Sequence, residues 1–169
     1  MRHFEAAWTF ASTVKDAQQP GLSVVASPDR GDGGRMSWIQ MTDEADGLAV
    51  NFYDVRGRGN PANFVESFLV HGLNRAVPHT IALSMDFREG PSNDIVRVYV
   101  DGRLRHTGTS WENYFRFDSE AAGTGNMVPI VNRILFRTGG VAAPATSGKG
   151  FLIDNLLVAT HNRAGSRDD

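Results

Sequence analysis

The sequence predicts an all-β protein, built as a sandwich or a barrel of short strands. Apolar and polar residues alternate over many short segments, and glycine and proline separate these segments from one another. No long stretch has the 3.6-residue period of a helix. The chain also lacks an internal repeat, which argues against a propeller.

The predicted strands follow one another along the chain. The first, residues 3–13, places apolar side chains on one face: Phe4, Ala6, Trp8 and Phe10. Later strands are predicted over residues 22–26, 35–42, 47–55, 79–87, 129–138 and 150–160. Both faces of the strand at 35–42 are mixed, so its buried side is left open. Residues 56–78 are less regular and are the best place for one short helix.

The segment "IVRVYVDGRLRH", from Ile95 to His106, predicts a β-hairpin. Asp101-Gly102 favours a type I′ turn, because both central residues of that turn need a positive φ angle. We therefore expect Val96, Val98 and Val100 to face the core. The intervening Arg97 and Tyr99 should point the other way.

Length and composition limit the classes of function. The 169 residues fit one domain, predicted over residues 1–161, with a flexible tail over residues 162–169. A formal net charge of −2 provides no field to hold DNA or RNA, so nucleic acid is not an expected partner. No segment is apolar enough to cross a bilayer, and the first ten residues lack the apolar region of a secretory signal. Cysteine is absent, which rules out disulfides and thiolate metal sites.

Two parts of the chain resemble a known superfamily. From His79 to Trp111 the order is strand, "REGPSND" loop, strand, Asp-Gly turn, short strand and "GTSW", and later comes "RILFRTGG...GKGFLIDNLLV". Both parts resemble the concanavalin A-like, laminin-G-like jelly rolls. The resemblance implies an all-β, two-sheet antiparallel jelly-roll sandwich with at most one short helix. Members of this superfamily include lectins, adhesion modules, carbohydrate-binding appendages, glycanases and polysaccharide lyases.

The catalytic motifs of this superfamily do not match the sequence. Glycanases resembling laminarinases carry Glu-x-Asp-x-x-Glu on one strand, which this chain lacks. Alginate-lyase-like jelly rolls carry an Arg-x-Glu strand, a Gln-x-His strand and a Tyr-Phe-Lys strand. Here only "YFRF", Tyr114 to Phe117, is similar to one of the three. Whether the protein is an enzyme is therefore left open.

Polar and aromatic residues on neighbouring strands form the main candidate site. Arg35, Trp38, Asn51 and Tyr53 place an aromatic wall beside hydrogen-bonding groups, and in jelly-roll lectins the ligand lies on the concave sheet face. Four-residue spacing adds Arg133 and Arg137 to one face of a later strand. These arginines meet an acidic partner or an anionic ligand, or they lie on a solvated convex face.

Further candidates each have a structural alternative. Trp111 and Tyr114 could stack on sugar rings, although Trp111 could equally fill the core at a sheet corner. Asn93 and Asp94 offer oxygen ligands for a structural Ca²⁺, against a simple Asx turn. The five histidines are scattered without a ligand spacing, so a zinc site would have to be assembled by the fold. Asp154 is expected to be buried and hydrogen-bonded within a sheet.

These observations rank three functions. The first is noncovalent carbohydrate binding by a secreted or cell-surface module, part of a larger bacterial-type protein, with a cytoplasmic location left open. The second is a hydrolase or lyase with an unfamiliar site that uses His79, Asp86, Tyr53 or an arginine. The third is a laminin-G-like module that binds proteins or assembles with itself.

Overall fold

The computed structural model describes residues 2–29, 37–55, 64–88, 93–111 and 131–162. Within these residues the chain forms ten strands and one short 3₁₀ helix, Pro144–Thr146. The first five strands are β1 (Arg2–Ser12), β2 (Leu22–Asp29), β3 (Trp38–Glu44), β4 (Gly47–Val55) and β5 (Phe64–Leu73). The others are β6 (His79–Phe87), β7 (Ile95–Val100), β8 (Arg103–Gly108), β9 (Arg133–Gly140) and β10 (Phe151–Asn162).

The strands form two five-stranded sheets. The first sheet has the order β10-β1-β6-β7-β8, and the second sheet has the order β5-β4-β3-β2-β9. Every pairing between neighbours is antiparallel. The predicted two-sheet antiparallel sandwich is therefore confirmed. Among the helices of the described residues, none is long and apolar enough to cross a bilayer.

Alternating side chains from both sheets form one core. In β1 the four apolar residues predicted to share a face are at most 1% exposed: Phe4, Ala6, Trp8 and Phe10. Trp8 joins the sheets, because its indole N–H donates to Met41 Sδ at 3.3 Å and its ring meets Phe136 edge-on at 5.4 Å. Burial of such a side chain stabilises the fold by about 1.5–3 kcal/mol.

The predicted hairpin has the expected geometry. Val96, Val98 and Val100 are fully buried, and the turn places Asp101 at φ 51° and Gly102 at φ 73°. Positive φ at both central residues is the type I′ turn, which matches the right-handed twist of the strands. The Asp101 carboxylate also accepts a hydrogen bond from the backbone N–H of Thr80 at 2.9 Å. Asp101 therefore fixes the turn to β6 as well as adopting its backbone angles.

Two local predictions can be compared with the structure. In the segment chosen as the best place for a helix, the described residues 64–78 contain β5, while residues 56–63 lie outside the described part of the chain. The one short helix of the described residues lies in the loop before β10. β5 is an edge strand with irregular pairing to β4, so its alternation is blurred and its exposure is mixed. Asp154 was expected to be buried but is exposed, and its carboxylate accepts a hydrogen bond from the backbone N–H of Asn155 at 2.7 Å.

Candidate functional site

The outer face of the second sheet carries a compact group of polar side chains. Gln40 on β3 lies opposite Asn51 on β4, while Tyr53 on β4 lies opposite Glu66 on β5. Their neighbours Ile39 and Phe52 are fully buried in the core, so these four side chains point away from it. We call Gln40, Asn51, Tyr53 and Glu66 the Tyr53 cluster.

Hydrogen bonds connect the members of the Tyr53 cluster. The Tyr53 hydroxyl donates to Glu66 Oε1 at 2.8 Å, and Gln40 Oε1 lies 3.2 Å from the same hydroxyl. Asn51 Nδ2 donates to the same oxygen of Glu66 at 3.1 Å. The Glu66 carboxylate therefore accepts hydrogen bonds from the Tyr53 phenol and the Asn51 amide, which belong to alternate residues of β4.

The environment of Tyr53 keeps its phenol protonated. Burial, followed by the hydrogen bond and the charge of Glu66, raises the pKa of Tyr53 to about 12. A phenol with this pKa is neutral at physiological pH and can give a proton only to a group that becomes strongly basic. Tyr53 is consequently suited to donate a proton rather than to act as a free phenolate.

Aromatic rings border the Tyr53 cluster on one side. The Trp38 ring lies 5.7 Å from that of Tyr53 and is partly exposed, so it offers an apolar surface beside the polar groups. Trp111 is only 4% exposed and stands edge-on to Phe64 at 4.6 Å. Its indole N–H donates to the backbone carbonyl of Tyr53 at 2.8 Å. Trp111 therefore holds the backbone of β4 in place and offers little surface to a ligand.

Some polar atoms on this face are deeply buried although they point away from the core. Asn51 is 6% exposed and Ser27, on β2, is fully buried. Among the described residues, Asn51 Oδ1 and Ser27 Oγ have no hydrogen-bond partner. Buried polar atoms of this kind are costly unless something pairs with them. The face thus presents recessed hydrogen-bonding groups.

The two predicted arginines lie on the same outer face, at its far edge. Arg137 on β9 pairs with Val25, which in turn pairs with Gln40. Two strand spacings, about 10 Å, therefore separate the backbones of Arg137 and Gln40. Arg133 is on the same edge strand, β9, and lies opposite Asp29 of β2. Both arginines are exposed. The two arginines are therefore not buried, and they need no partner to offset a cost of burial.

The structure brings some of the predicted ligand-binding residues together. Trp38, Asn51 and Tyr53 are adjacent, and the arginines of β9 share their face. Two candidates, Arg35 and Tyr114, lie outside the described residues. Sequence reasoning missed Gln40 and Glu66. The pairing of the strands at 35–42 and 47–55 could have revealed Gln40, whereas Glu66 was hidden in the segment assigned to a helix.

The candidate calcium ligands have protein partners. Asp94 is 2% exposed, and its two carboxylate oxygens accept hydrogen bonds from the Arg88 backbone N–H at 2.9 Å and from Ser110 Oγ at 2.5 Å. These bonds hold the start of β7 against the segment after β8. Asp94 thus has a structural role whether or not Asn93 and a metal join it.

The residues named for an unfamiliar enzyme site do not form one group. His79 lies beside the hairpin turn, where its ring nitrogens contact Asp101 Oδ2 at 2.8 Å and the Asn74 carbonyl at 3.0 Å. Asp86 is on the outer face of the first sheet, whereas Tyr53 belongs to the second. In the described part of the chain, one group has the composition of a metal site, and it also lies on the first sheet.

Comparisons with known proteins identify similar folds. No protein-family model matches the sequence, and no curated protein matches it. An alginate lyase from Pseudomonas aeruginosa superposes with a TM-score of 0.54 at 14% identity, over 94% of this chain and 65% of the lyase. The chain therefore spans less than two-thirds of that enzyme. The likeness confirms the jelly-roll fold that the superfamily resemblance predicted.

Two further solved structures are more distant. An alginate lyase from Alteromonas sp. 272 has a TM-score of 0.43 at 7% identity, over 95% of this chain and 72% of the lyase. An endo-β-1,4-glucuronan lyase from the fungus Trichoderma reesei has a TM-score of 0.42 at 14% identity, over 83% of this chain and 67% of the lyase.

Proposed function

We propose that the protein acts on a uronate-containing polysaccharide and cleaves it by β-elimination at the Tyr53 cluster. The observation that carries this proposal is the hydrogen-bonded pair of Tyr53 and Glu66, 2.8 Å apart on an outer sheet face. The alginate lyase of similar fold directs the choice of substrate class to polymers of uronic acids.

Elimination needs a base, an acid and a group that lowers the charge of the uronate. The Glu66 carboxylate removes the proton from C5, and the C4–O4 bond breaks as the C4=C5 double bond forms. The Tyr53 phenol gives its proton to the departing O4. Proton transfer from Glu66 to the phenolate then restores both groups, so the reaction consumes no other reactant.

Gln40 supplies the third requirement. It is partly exposed next to the acid and base, where its N–H groups can donate to the uronate carboxylate, while the buried Asn51 opposite it holds Glu66. Such bonds stabilise the negative charge that develops when C5 loses its proton. The exposed Arg137 extends a positive charge along the same row and offsets the repulsion between Glu66 and an anionic chain.

Noncovalent glycan binding on the same face is the second candidate. The Trp38 ring, partly exposed beside Tyr53, favours it because an aromatic face can bury the C–H surface of a sugar. The high pKa of Tyr53 also suits a phenol that serves only as a hydrogen-bond donor. The two functions share residues and differ in whether the polymer is cleaved.

Incubation with alginate, glucuronan and neutral β-glucans separates the candidates. We expect unsaturated uronate ends, measured by ultraviolet absorbance, from an anionic polymer only. Tyr53→Phe and Glu66→Gln should each lower the rate by about 10²–10⁴-fold, the usual contribution of a positioned acid or base. Binding without cleavage would favour the noncovalent alternative. Absence of both binding and cleavage across the anionic polymers would contradict both functions.

A further inference from the structure

A second group of chemically active side chains lies on the outer face of the first sheet. His3 and Glu5 on β1 and His161 on β10 place a ring nitrogen or a carboxylate oxygen each within 4.8 Å of one another. The rings of His3 and His161 have their centroids 4.7 Å apart. Nothing in the proposed lyase chemistry uses these residues, because they belong to the opposite sheet.

Strand geometry explains why these three residues meet. His3 and Glu5 are two positions apart on β1, so their side chains leave the same face of the sheet. His161 is the direct cross-strand partner of His3 in the pairing of β1 with β10. The chain separates His3 from His161 by almost its whole length, which is why no histidine spacing in the sequence indicated the group.

A carboxylate behind His3 fixes the orientation of its ring. Asp86, the partner of His3 on β6, has Oδ1 2.5 Å from His3 Nδ1 and accepts a hydrogen bond from Arg97 Nη1 at 2.9 Å. His3 is only 5% exposed, so its ring is held firmly. With Nδ1 directed at Asp86, Nε2 faces Glu5 and the open side of the sheet.

The two nitrogens of His3 both lie next to carboxylates. His3 Nε2 is 2.7 Å from Glu5 Oε1, in addition to the contact between Nδ1 and Asp86. A neutral imidazole has one N–H and can donate to only one of them. A second proton on the ring satisfies the other contact, or Nε2 and Glu5 Oε1 move apart from hydrogen-bonding distance and bind one metal cation. The nearby ring of His161 adds a second nitrogen ligand for a metal. Two protonated rings at this distance would repel each other, which favours the metal.

We infer that His3, Glu5 and His161 bind a Zn²⁺ ion, with Asp86 as the positioning residue behind His3. Two imidazoles and one carboxylate are a common zinc ligand set, and a carboxylate hydrogen-bonded to a ligating histidine orients it. Ca²⁺ and Mg²⁺ prefer oxygen ligands throughout, so they fit this group less well. Three protein ligands leave a fourth zinc position for water or a small ligand.

A pocket adjoins this group of side chains. It has a volume of about 360 Å³, and its lining includes His3, Glu5 and Arg97. The small side chains of Ala7 and Ala82 leave room above the sheet, while Tyr99 borders it. With a bound Zn²⁺, the charges of the metal and Arg97 together would exceed those of the Glu5 and Asp86 carboxylates that also line the pocket. A small anion is the class of ligand that this combination would hold.

Zinc titration of the untagged chain by calorimetry tests the inference. We expect one Zn²⁺ per chain, with an increase in the thermal unfolding midpoint when zinc is added. His161→Ala and Glu5→Gln should each weaken binding by more than about 10-fold, and Asp86→Asn by about 10–100-fold. His71→Ala is the matched control, because His71 is exposed, pairs with Asp46 at 2.8 Å and belongs to the other sheet.

The outcomes are distinguishable from those of the lyase proposal. Zinc binding is read without any polysaccharide, and loss of elimination activity has no effect on it. Histidine side-chain NMR should show His3 coordinated through Nε2 while Nδ1 keeps its proton, a pattern that a merely structural role for Asp86 would not produce. A wild-type chain that binds no zinc, or equal zinc affinity in the wild type and in both His161→Ala and Glu5→Gln, would overturn the inference.

Discussion

The phenol of Tyr53 and the carboxylate of Glu66 are joined by a 2.8 Å hydrogen bond between β4 and β5. Because burial and this carboxylate raise the pKa of Tyr53 to about 12, we expect Tyr53 to keep its proton through pH 10–11. An ordinary tyrosine titrates near pH 10. Ultraviolet titration of the wild type minus that of Tyr53→Phe isolates the phenol.

The Glu66→Gln variant checks the cause of this shift. Removal of the negative charge should lower the pKa of Tyr53, yet leave it above 10, because burial is the largest cause and remains. The same pKa shift makes the stability of the fold depend on pH. The folded state binds the proton more tightly, so stability falls as the pH rises from about 10 to about 12, and Tyr53→Phe should lack that part of the decline. A midpoint near pH 10 in the wild type would contradict the interpretation.

Arg137 should contribute to the binding of an anionic polymer through its charge. We expect Arg137→Ala to weaken binding of a uronate polysaccharide by up to about 5-fold, since an exposed ion pair contributes about 0.2–1 kcal/mol. The difference should disappear as salt screens the charge. Arg105→Ala, on exposed β8 of the other sheet, is the matched control and should bind like the wild type. Equal losses in both variants would indicate a nonspecific charge effect.

The regular strands could be predicted from the sequence because their alternation is strict. β4 and β6 begin and end as predicted, at residues 47–55 and 79–87. One face of β6 packs in the core, so a shift by one residue would expose Ile81, Leu83 and Met85. On the edge strand β5 the residues that pack against the core, Leu69, Val70 and Leu73, are only partly buried and do not alternate strictly. The exposed Phe68 disguises the pattern further. Sequence reasoning therefore failed where tertiary packing is weakest.

The candidate site could be predicted only in part. Trp38, Asn51 and Tyr53 lie on two successive strands, and a hairpin between such strands is the simplest arrangement. Glu66 reaches Tyr53 through the irregular pairing of β4 with β5, which shifts register twice. The His3 and His161 pair depends on the closing of the first sheet by the last strand. Contacts of this kind follow from long-range register, and alternation alone does not determine it.

Two phenylalanines on the second sheet test the assignment of its faces. Phe52 is fully buried and its ring lies 4.7 Å from that of His106, whereas Phe68 is 76% exposed. We expect Phe52→Ala to lower the free energy of unfolding by about 3–5 kcal/mol, because it leaves a cavity in the core. Phe68→Ala should change it by less than about 0.5 kcal/mol. Denaturant unfolding measures both, and similar losses would show that the faces are assigned incorrectly.

At the turn between β7 and β8, the energetic effect of the backbone angle can be measured separately from that of the side-chain contacts. A Cβ at position 102 would meet no atom within 4 Å, so Gly102→Ala should cost only the strain of a positive φ, about 1 kcal/mol. Asp101→Ala also loses the acceptor for the Thr80 N–H and the partner of His79, and should cost about 1–3 kcal/mol. Asp101→Asn tolerates the turn angle and can still accept the Thr80 bond, so it should recover most of the loss. If Asp101→Asn is as unstable as Asp101→Ala, the charge facing His79 rather than the backbone bond holds the turn to β6.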